Sequence, residues 1–148
     1  MPTLADNKKA HFNYEILEKI EAGLLLTGGE VKSIKSGHIS LKEAFVSFHN
    51  NEAYLTNAHV PPYLQAGPQK DYDPTHSRRL LLHRKEIEYL RTKALEKGLT
   101  IIPLSVYTKS RLIKVELAVA KGKHTYDKRE SLKNRDIDRE SKRQIKEL

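Results

Sequence analysis

The chain has 148 residues, of which 38% are hydrophobic, and this suits one domain with a single modest core. Its 27 Lys and Arg residues outnumber 19 Asp and Glu residues, giving a formal net charge of +8. Because a basic surface attracts polyanions and releases their counterions, nucleic acid is the leading partner class. The absence of Cys excludes disulfides, thiolate metal sites and Cys nucleophiles.

The first residues, MPTLADNKKAHF, contain no apolar run of signal-peptide length, and no stretch approaches the roughly 18 apolar residues of a membrane span. The basic runs also lack a neighbouring amphipathic helix with a broad apolar face, which leaves membrane binding as a minor alternative. The sequence therefore predicts a cytoplasmic protein.

The first structural elements are predicted over residues 13–36. In NYEILEKIEAGLLL, the even spacing of Tyr14, Ile16 and Ile20 predicts two strands with a bend at Ala22-Gly23. The following TGGEVKSIKSG has the Thr-x-x-Glu spacing of a capping box and a terminal Gly, which predicts a helix over about 29–36. Its two aliphatic residues, Val31 and Ile34, are expected to face inward.

The middle of the chain contains a predicted hairpin followed by a long loop. Residues 43–60 alternate around Asn50-Asn51, a pair that tolerates the positive φ angles of a tight turn. Residues 61–79 contain four Pro and one Gly and show no period, which predicts a long irregular connection.

The last predicted helix and hairpin cover residues 83–120. Apolar residues at helical spacing predict a helix over 83–97 that Gly98 stops, with one inward face formed by Ile87, Leu90, Ala94 and Leu95. The alternating segment from Leu99 to Ala120 predicts a hairpin that turns at Lys109-Ser110. On its second strand, the residues expected on one side are Val115, Leu117 and Val119.

Many short strands, two short helices and no βαβ rhythm predict a mainly β fold with short helices. Our first choice is an antiparallel, OB-like β-barrel with helices on its rim, formed by residues 1–120, followed by a flexible basic C-terminal tail, residues 121–148.

The tail has 28 residues, with ten Lys or Arg and six Asp or Glu, and therefore a net charge of +4. Its few apolar residues cannot cover a core, so the tail alone is expected to be disordered. Five basic residues recur at helical spacing and could form one face of a helix when a polyanion screens them: Arg135, Arg139, Lys142, Arg143 and Lys146. The alternative is a solvated tail that only increases solubility.

The sequence gives little support for catalysis. None of the seven His residues has a recognised metal or triad spacing, and no Walker, GxGxxG or GxSxG motif occurs. A ribonuclease could use two His as acid and base, and His11 with His124 is the pair to test. The residues themselves favour a binding protein with no catalytic residue, metal or cofactor.

Four motifs occur in order along the chain: ADNKKAHFNYEI, EAGLLLTGGEVKSIKSG, RRLLLHRKEI and GKHTYDKR. Together, from about Asn7 to the end, they closely resemble the SmpB family, the bacterial transfer-messenger RNA (tmRNA)-binding proteins. The resemblance implies a non-enzymatic cytoplasmic adaptor with an OB-like barrel that binds the tRNA-like domain of tmRNA. It further implies that the adaptor delivers tmRNA to ribosomes stalled on messages without a stop codon. Elongation factor Tu is implied as an indirect partner, through aminoacylated tmRNA.

The resemblance also assigns residues to two RNA partners. Those matched to tmRNA binding are Asn7, Lys8, Lys9, His11, Glu21, Leu81, Gly122 and Lys123. Alternatives remain open, since Lys8 and Lys9 could belong to a frayed basic terminus, Glu21 could hold a nearby cation and Leu81 could be core. The chain departs from the family pattern at two positions. His124 stands where the second Lys of Gly-Lys-Lys is expected, and Gly29 stands where the family often has an aromatic residue or Thr.

The tail is matched to the decoding centre and mRNA channel of the 70S ribosome, including 16S rRNA. The assigned residues are Asp127, Lys128, Arg129, Arg135, Arg139, Lys142, Arg143 and Lys146, with Ile137 and Ile145 as further ribosomal contacts. In the family this tail is unstructured in solution and helical in the channel. The competing hypotheses are a general rRNA- or tRNA-binding protein and a small ribonuclease.

Overall fold

The computed structural model describes residues 3–63, 67 and 71–122, and three short helices and seven strands are present in them. The elements in chain order are β1 (Thr3–Asp6), α1 (Lys8–Asn13), β2 (Tyr14–Leu24), α2 (Gly28–Lys35), β3 (Phe45–His49), β4 (Glu52–Thr56), β5 (Arg78–Leu81), α3 (Arg84–Leu95), β6 (Leu99–Lys109) and β7 (Leu112–Gly122). The seven strands form one sheet in the order β1-β6-β7-β2-β5-β4-β3, and every pairing is antiparallel. The predicted mainly β class with short helices is therefore confirmed.

The local signals around α2 and the first hairpin are confirmed. Thr27 Oγ1 accepts the backbone N–H of Glu30, while the Glu30 carboxylate accepts the N–H of Thr27, so both halves of the capping box form. Gly37 follows the helix with a φ of +84°, which a side chain would disfavour. Asn50 and Asn51 have φ angles of 50° and 64°, as a two-residue hairpin turn requires.

The predicted break in residues 13–26 is wrong, because β2 runs unbroken from Tyr14 to Leu24. Gly23 pairs with Leu81 on one side and with Lys114 on the other, so it lies inside the sheet. A Cβ at Gly23 would lie 3.3 Å from the Cβ of Leu81, and the glycine therefore permits close strand approach. The irregularity of β2 occurs instead between Ile16 and Glu18.

The last helix and hairpin differ in detail from their predictions. α3 buries Ile87 and Leu90, as predicted, but Leu95 is 83% exposed because the helix ends there and turns this side chain away from the core. The hairpin turn lies one residue later than predicted, at Ser110-Arg111, since both residues have positive φ and Lys109 already pairs with Leu112.

Three elements were missed. β1 and α1 precede the first predicted strand, and β5 begins at Arg78, inside the segment predicted to be an irregular loop. All three are six residues or shorter, so their own periodicity carries too little signal. β5 gains its strand conformation from two flanking partners, since it pairs with both β2 and β4.

A buried ion pair joins α2 to β5. Glu30 and Arg78 are 2% and 1% exposed, and Arg78 Nε donates to Glu30 Oε2 over 2.6 Å. The remaining guanidinium hydrogens are donated to the carbonyl oxygens of Ala58, His76 and Pro74 and to Tyr72 Oη. The pair therefore tethers both ends of the connection between β4 and β5.

The Glu30 carboxylate is held ionised within this network. Burial by itself would raise the pKa of Glu30, but the backbone N–H of Thr27, the Arg78 guanidinium and the His76 ring outweigh burial and lower the pKa to about 2. Since the folded-state pKa lies below the ordinary value of 4.5, ionised Glu30 contributes stability that is lost as the pH falls from about 4.5 to about 2.

No helix among the described residues is long and apolar enough to cross a membrane.

Replacing Arg78 with Met should destabilise the fold strongly, because the substitution leaves the Glu30 charge buried without its partner. We expect the free energy of unfolding to fall by about 3–5 kcal/mol in urea denaturation. The matched control is Arg79→Met, which removes an exposed pair with Glu52 and should cost at most about 1 kcal/mol. Equal effects of the two substitutions would contradict the structural role of Arg78.

Replacing Glu30 with Gln should have a pH-dependent effect, because a protonated carboxyl resembles the amide. The stability difference between wild type and Glu30→Gln should be full above about pH 5 and shrink as the pH falls towards 2. Glu52→Gln, at a more exposed carboxylate, serves as the control and should show a small difference at every pH. A Glu30→Gln difference that stays constant down to pH 2 would refute the low pKa.

Candidate nucleic-acid interface

The short basic helix α1 is fixed to the sheet by Asn7. The backbone N–H of Asn7 donates to Leu104 O over 2.8 Å, and its side-chain Nδ2 donates to Pro103 O over 2.9 Å. Asn7 is only 7% exposed, so its structural role is to anchor the start of α1 on β6.

Small residues on the sheet let α1 pack closely. Ala10 of α1 is 2% exposed and packs in a small cluster that includes Ala118 and Ala120 of β7. The alternate residues of β7, including Val119, point to the opposite face and into the main core. Because α1 is pinned through Ala10, its charged residues Lys8 and Lys9 remain exposed to solvent.

The end of β7 lies beside this helix. Gly122 pairs with Tyr14, the residue that follows α1, and the backbone N–H of Gly122 donates to Gly98 O. Gly122 therefore lies beside the C-terminal end of α1, whose N-terminal end carries Lys8 and Lys9. We call the surface formed by Lys8, Lys9, His11 and Gly122 the helix-end surface. Of the other predicted residues, Asn7, Glu21 and Leu81 are described, and the rest lie outside the described residues: Lys123, His124, Asp127, Lys128, Arg129, Arg135, Ile137, Arg139, Lys142, Arg143, Ile145 and Lys146.

Glu21 lies near the other end of β2, roughly 23 Å from Tyr14 at a strand rise of about 3.3 Å per residue. Its carboxylate accepts hydrogen bonds from Tyr107 Oη and, over 3.3 Å, from Lys109 Nζ. The Tyr107 hydrogen bond, helped by Lys109, lowers the pKa of Glu21 below its ordinary value, while burial and the carboxylate raise the pKa of Tyr107. Glu21 thus holds a cation, and it also presents an ionised acceptor at the surface.

Leu81 and Glu21 line the same open groove, which has a volume of about 580 Å³. Leu80 is 1% exposed and faces the core, so the next residue, Leu81, points outward and is 48% exposed. The two predicted sites, 60 residues apart in the chain, therefore meet at one place. We call the cleft the Glu21–Leu81 groove.

Four other charged or polar residues line this groove, and the prediction named none of them: Arg79, His83, Glu86 and Lys114. Lys114 lies on β7 opposite Gly23, and His83 lies at the start of α3. Alternation could have revealed Lys114, because the neighbouring Val115 is a core residue and successive side chains of a strand face opposite sides. The other three, Arg79, His83 and Glu86, stand in the motif RRLLLHRKEI beside Leu81, so the motif was the signal for them.

The groove and the helix-end surface offer binding chemistry. Lysines supply phosphate contacts, while Glu21 can accept from a ribose hydroxyl or a base donor. Within the described part of the chain, no three His, Asp or Glu side chains form a group that could hold a metal ion. The proposed acid–base pair of His11 and His124 is not tested, because His124 lies outside that part.

Comparison with known proteins gives a consistent result. The family model described as SmpB protein matches residues 4–147. The SsrA-binding proteins of Sulfurihydrogenibium sp. and Oleidesulfovibrio alaskensis are 51% and 46% identical to the chain, covering 97% and 96% of it and 93% and 91% of those proteins.

A solved structure also resembles this one, with a TM-score of 0.70 and 40% sequence identity over 94% of this chain and 96% of the other. That structure is described as "tmRNA-SmpB: a journey to the center of the bacterial ribosome". The four motifs, the fold and a family match over nearly the whole length agree, and the chain belongs to the SmpB family.

Proposed function

We propose that the chain is a non-enzymatic RNA-binding adaptor that binds the tRNA-like domain of tmRNA and delivers it to stalled ribosomes for rescue and peptide tagging. The observation that carries this proposal is the SmpB family match over residues 4–147, supported by similarity to a tmRNA–SmpB structure. The net charge of +8 suits an RNA partner. The chain acts in the cytoplasm. Elongation factor Tu is an indirect partner, because it binds the aminoacylated tmRNA that the chain also binds.

The Glu21–Leu81 groove is one contact for tmRNA. Glu21 accepts a hydrogen bond from a ribose hydroxyl or base, Leu81 packs against an unpaired sugar or base, and Lys114 neutralises a phosphate. The support is their convergence on one open groove together with the low pKa of Glu21.

The helix-end surface is a second RNA contact, where Lys8, Lys9 and His11 face the backbone and Gly122 leads to Lys123. Asn7 acts there indirectly, since its side-chain amide already donates to Pro103 and holds α1 in place. The exposure of both lysines beside the end of β7 supports this assignment.

The chain is divided into an RNA-binding body, residues 1–120, and a ribosome-binding tail, residues 121–148. The body is an OB-like barrel with helices at its rim. In support, β3 contacts β6 although the two strands are not hydrogen-bonded neighbours, which indicates that the sheet is strongly curved. The tail is disordered alone and becomes helical in the mRNA channel. The basic residues of the tail and Asp127 contact the decoding centre and 16S rRNA.

Two alternatives stay open to experiment. A general rRNA- or tRNA-binding protein would share the basic surface, but ordinary tRNA would then compete equally with tmRNA. A ribonuclease using His11 and His124 would cleave labelled RNA, which an adaptor leaves intact. Membership of a family with SsrA-binding proteins favours the adaptor.

Substitutions in the groove should weaken binding of the tRNA-like domain without unfolding the protein. Lys114→Gln should reduce the slope of log affinity against log salt by about 0.7–0.9, because it removes one phosphate contact. The control is Lys97→Gln, an equal charge change at an exposed residue outside the groove, which should leave the slope near that of wild type. Equal slopes for all three proteins, measured by filter binding, would remove Lys114 from the interface.

Cutting the chain after Arg129 should separate the two activities. Binding of the tRNA-like domain should stay within a few-fold of the full chain in a salt titration with ordinary tRNA as competitor. Peptide tagging on stalled ribosomes should be lost in a reconstituted translation reaction, because the truncation removes six basic tail residues, Lys133, Arg135, Arg139, Lys142, Arg143 and Lys146. Joint loss of binding and tagging would show that the tail is itself the main RNA anchor.

A further inference from the structure

A second cavity, of about 420 Å³, lies where α1 and the start of β2 face the first residues of β3. Its volume falls in the range of sites that bind small ligands. The cavity is separate from the Glu21–Leu81 groove, because it contains Tyr14, at the opposite end of β2 from Glu21. We call it the Tyr14–Phe45 pocket.

Two aromatic side chains line this pocket. Tyr14 is partly buried at the start of β2, and Phe45 begins β3, a strand at one end of the sheet. Phe45 remains 39% exposed, although a Phe side chain favours burial. Exposed aromatic faces in nucleic-acid-binding proteins stack on unpaired bases, and this stacking tolerates any base.

The polar lining favours an anion. Lys9 and Lys42 line the pocket, both are exposed, and neither forms a salt bridge with a carboxylate among the described residues. Glu43 is also present, so the two lysines exceed the carboxylates of the lining by one charge. The Asn13 side chain adds a donor and an acceptor that can meet the edge of a base.

We propose that the Tyr14–Phe45 pocket binds one unstacked nucleotide of RNA, with its base against Tyr14 and Phe45 and its phosphate near Lys9 and Lys42. The proposal deepens the proposed function and rests on it, since the nucleotide belongs to an RNA that the body binds. A basic peptide is a poorer occupant, because it would repel both lysines. The tail, residues 121–148, starts close to this pocket, since Gly122 pairs with Tyr14, but its net charge is +4.

The test uses the full-length protein and two small probes, adenosine 5′-monophosphate and ribose 5-phosphate, which differ only in the base. Amide NMR signals of Tyr14 and Phe45 should shift on titration, and the adenine nucleotide should bind about fivefold to 150-fold more tightly, as expected for one base stacked on an aromatic ring. Phe45→Leu should lower the affinity for the nucleotide several-fold, towards that for ribose 5-phosphate, because only the Tyr14 contact with the base remains. Tyr89→Leu, at a comparably exposed aromatic of α3, should leave both affinities unchanged.

The lysines are tested with a matched pair of double substitutions. Lys9→Gln with Lys42→Gln should weaken both probes, whereas Lys85→Gln with Lys97→Gln, which removes the same charge elsewhere, should not. Equal affinity of the wild type for the two probes would overturn the proposal. So would a shift of the Tyr14 and Phe45 signals caused by Tyr126→Ala without any probe, since the chain's own C-terminal segment would then occupy the pocket.

Failure of the pocket proposal can be told apart from failure of the proposed adaptor function by measuring binding of the tRNA-like domain in parallel. If the wild type binds the tRNA-like domain in a filter assay but does not discriminate between the probes, the pocket fails and the adaptor function stands. If the wild type does not bind the tRNA-like domain, the proposed function fails whatever the probes show, and with it the assignment of this pocket to RNA.

Discussion

The buried pair of Glu30 and Arg78 is the interaction on which the described fold most depends. Removing two charges from water is costly, and the cost is offset only if each charged atom finds a partner. Here a single carboxylate caps α2 and accepts from Arg78, while the guanidinium gathers three carbonyl oxygens of the connection that leads to β5. The pair thus adds polar tethers to the hydrophobic contacts that Ala58 and Val60 of this connection make in the main core.

The same pair also determines which residue of β5 lines the Glu21–Leu81 groove. Arg78 points into the core at the first position of β5, so strand alternation turns Leu80 inward and Leu81 outward. Antiparallel pairing with β2 then places Leu81 against Gly23, two residues from Glu21. A structural ion pair inside the body therefore determines which leucine of the triplet is available to a partner.

The two proposed RNA contacts lie at opposite ends of the long central strand, β2. At one end of β2, α1 and the end of β7 present lysines, and at the other end Glu21, Leu81 and Lys114 line an open groove. The separation of roughly 23 Å suits an extended polyanion better than a small molecule. A rigid strand keeps this spacing constant, which favours recognition of the shape of a folded RNA rather than a short sequence.

The sequence by itself determined the elements whose signal is local. Thr27 with Glu30 predicts a helix start, Asn50-Asn51 predicts a hairpin turn, and the alternation of β7 predicts its core face, because each depends on residues a few positions apart. The four motifs were likewise enough to identify the family. The tertiary structure decided the features that depend on residues distant in the sequence. Arg78 and Arg79 are adjacent arginines, yet only Arg78 binds a buried carboxylate, that of Glu30, 48 residues away. The short elements β1, α1 and β5 and the meeting of Glu21 with Leu81 follow from the same cause, since strand pairing and packing across the sheet, not local propensity, set their environments.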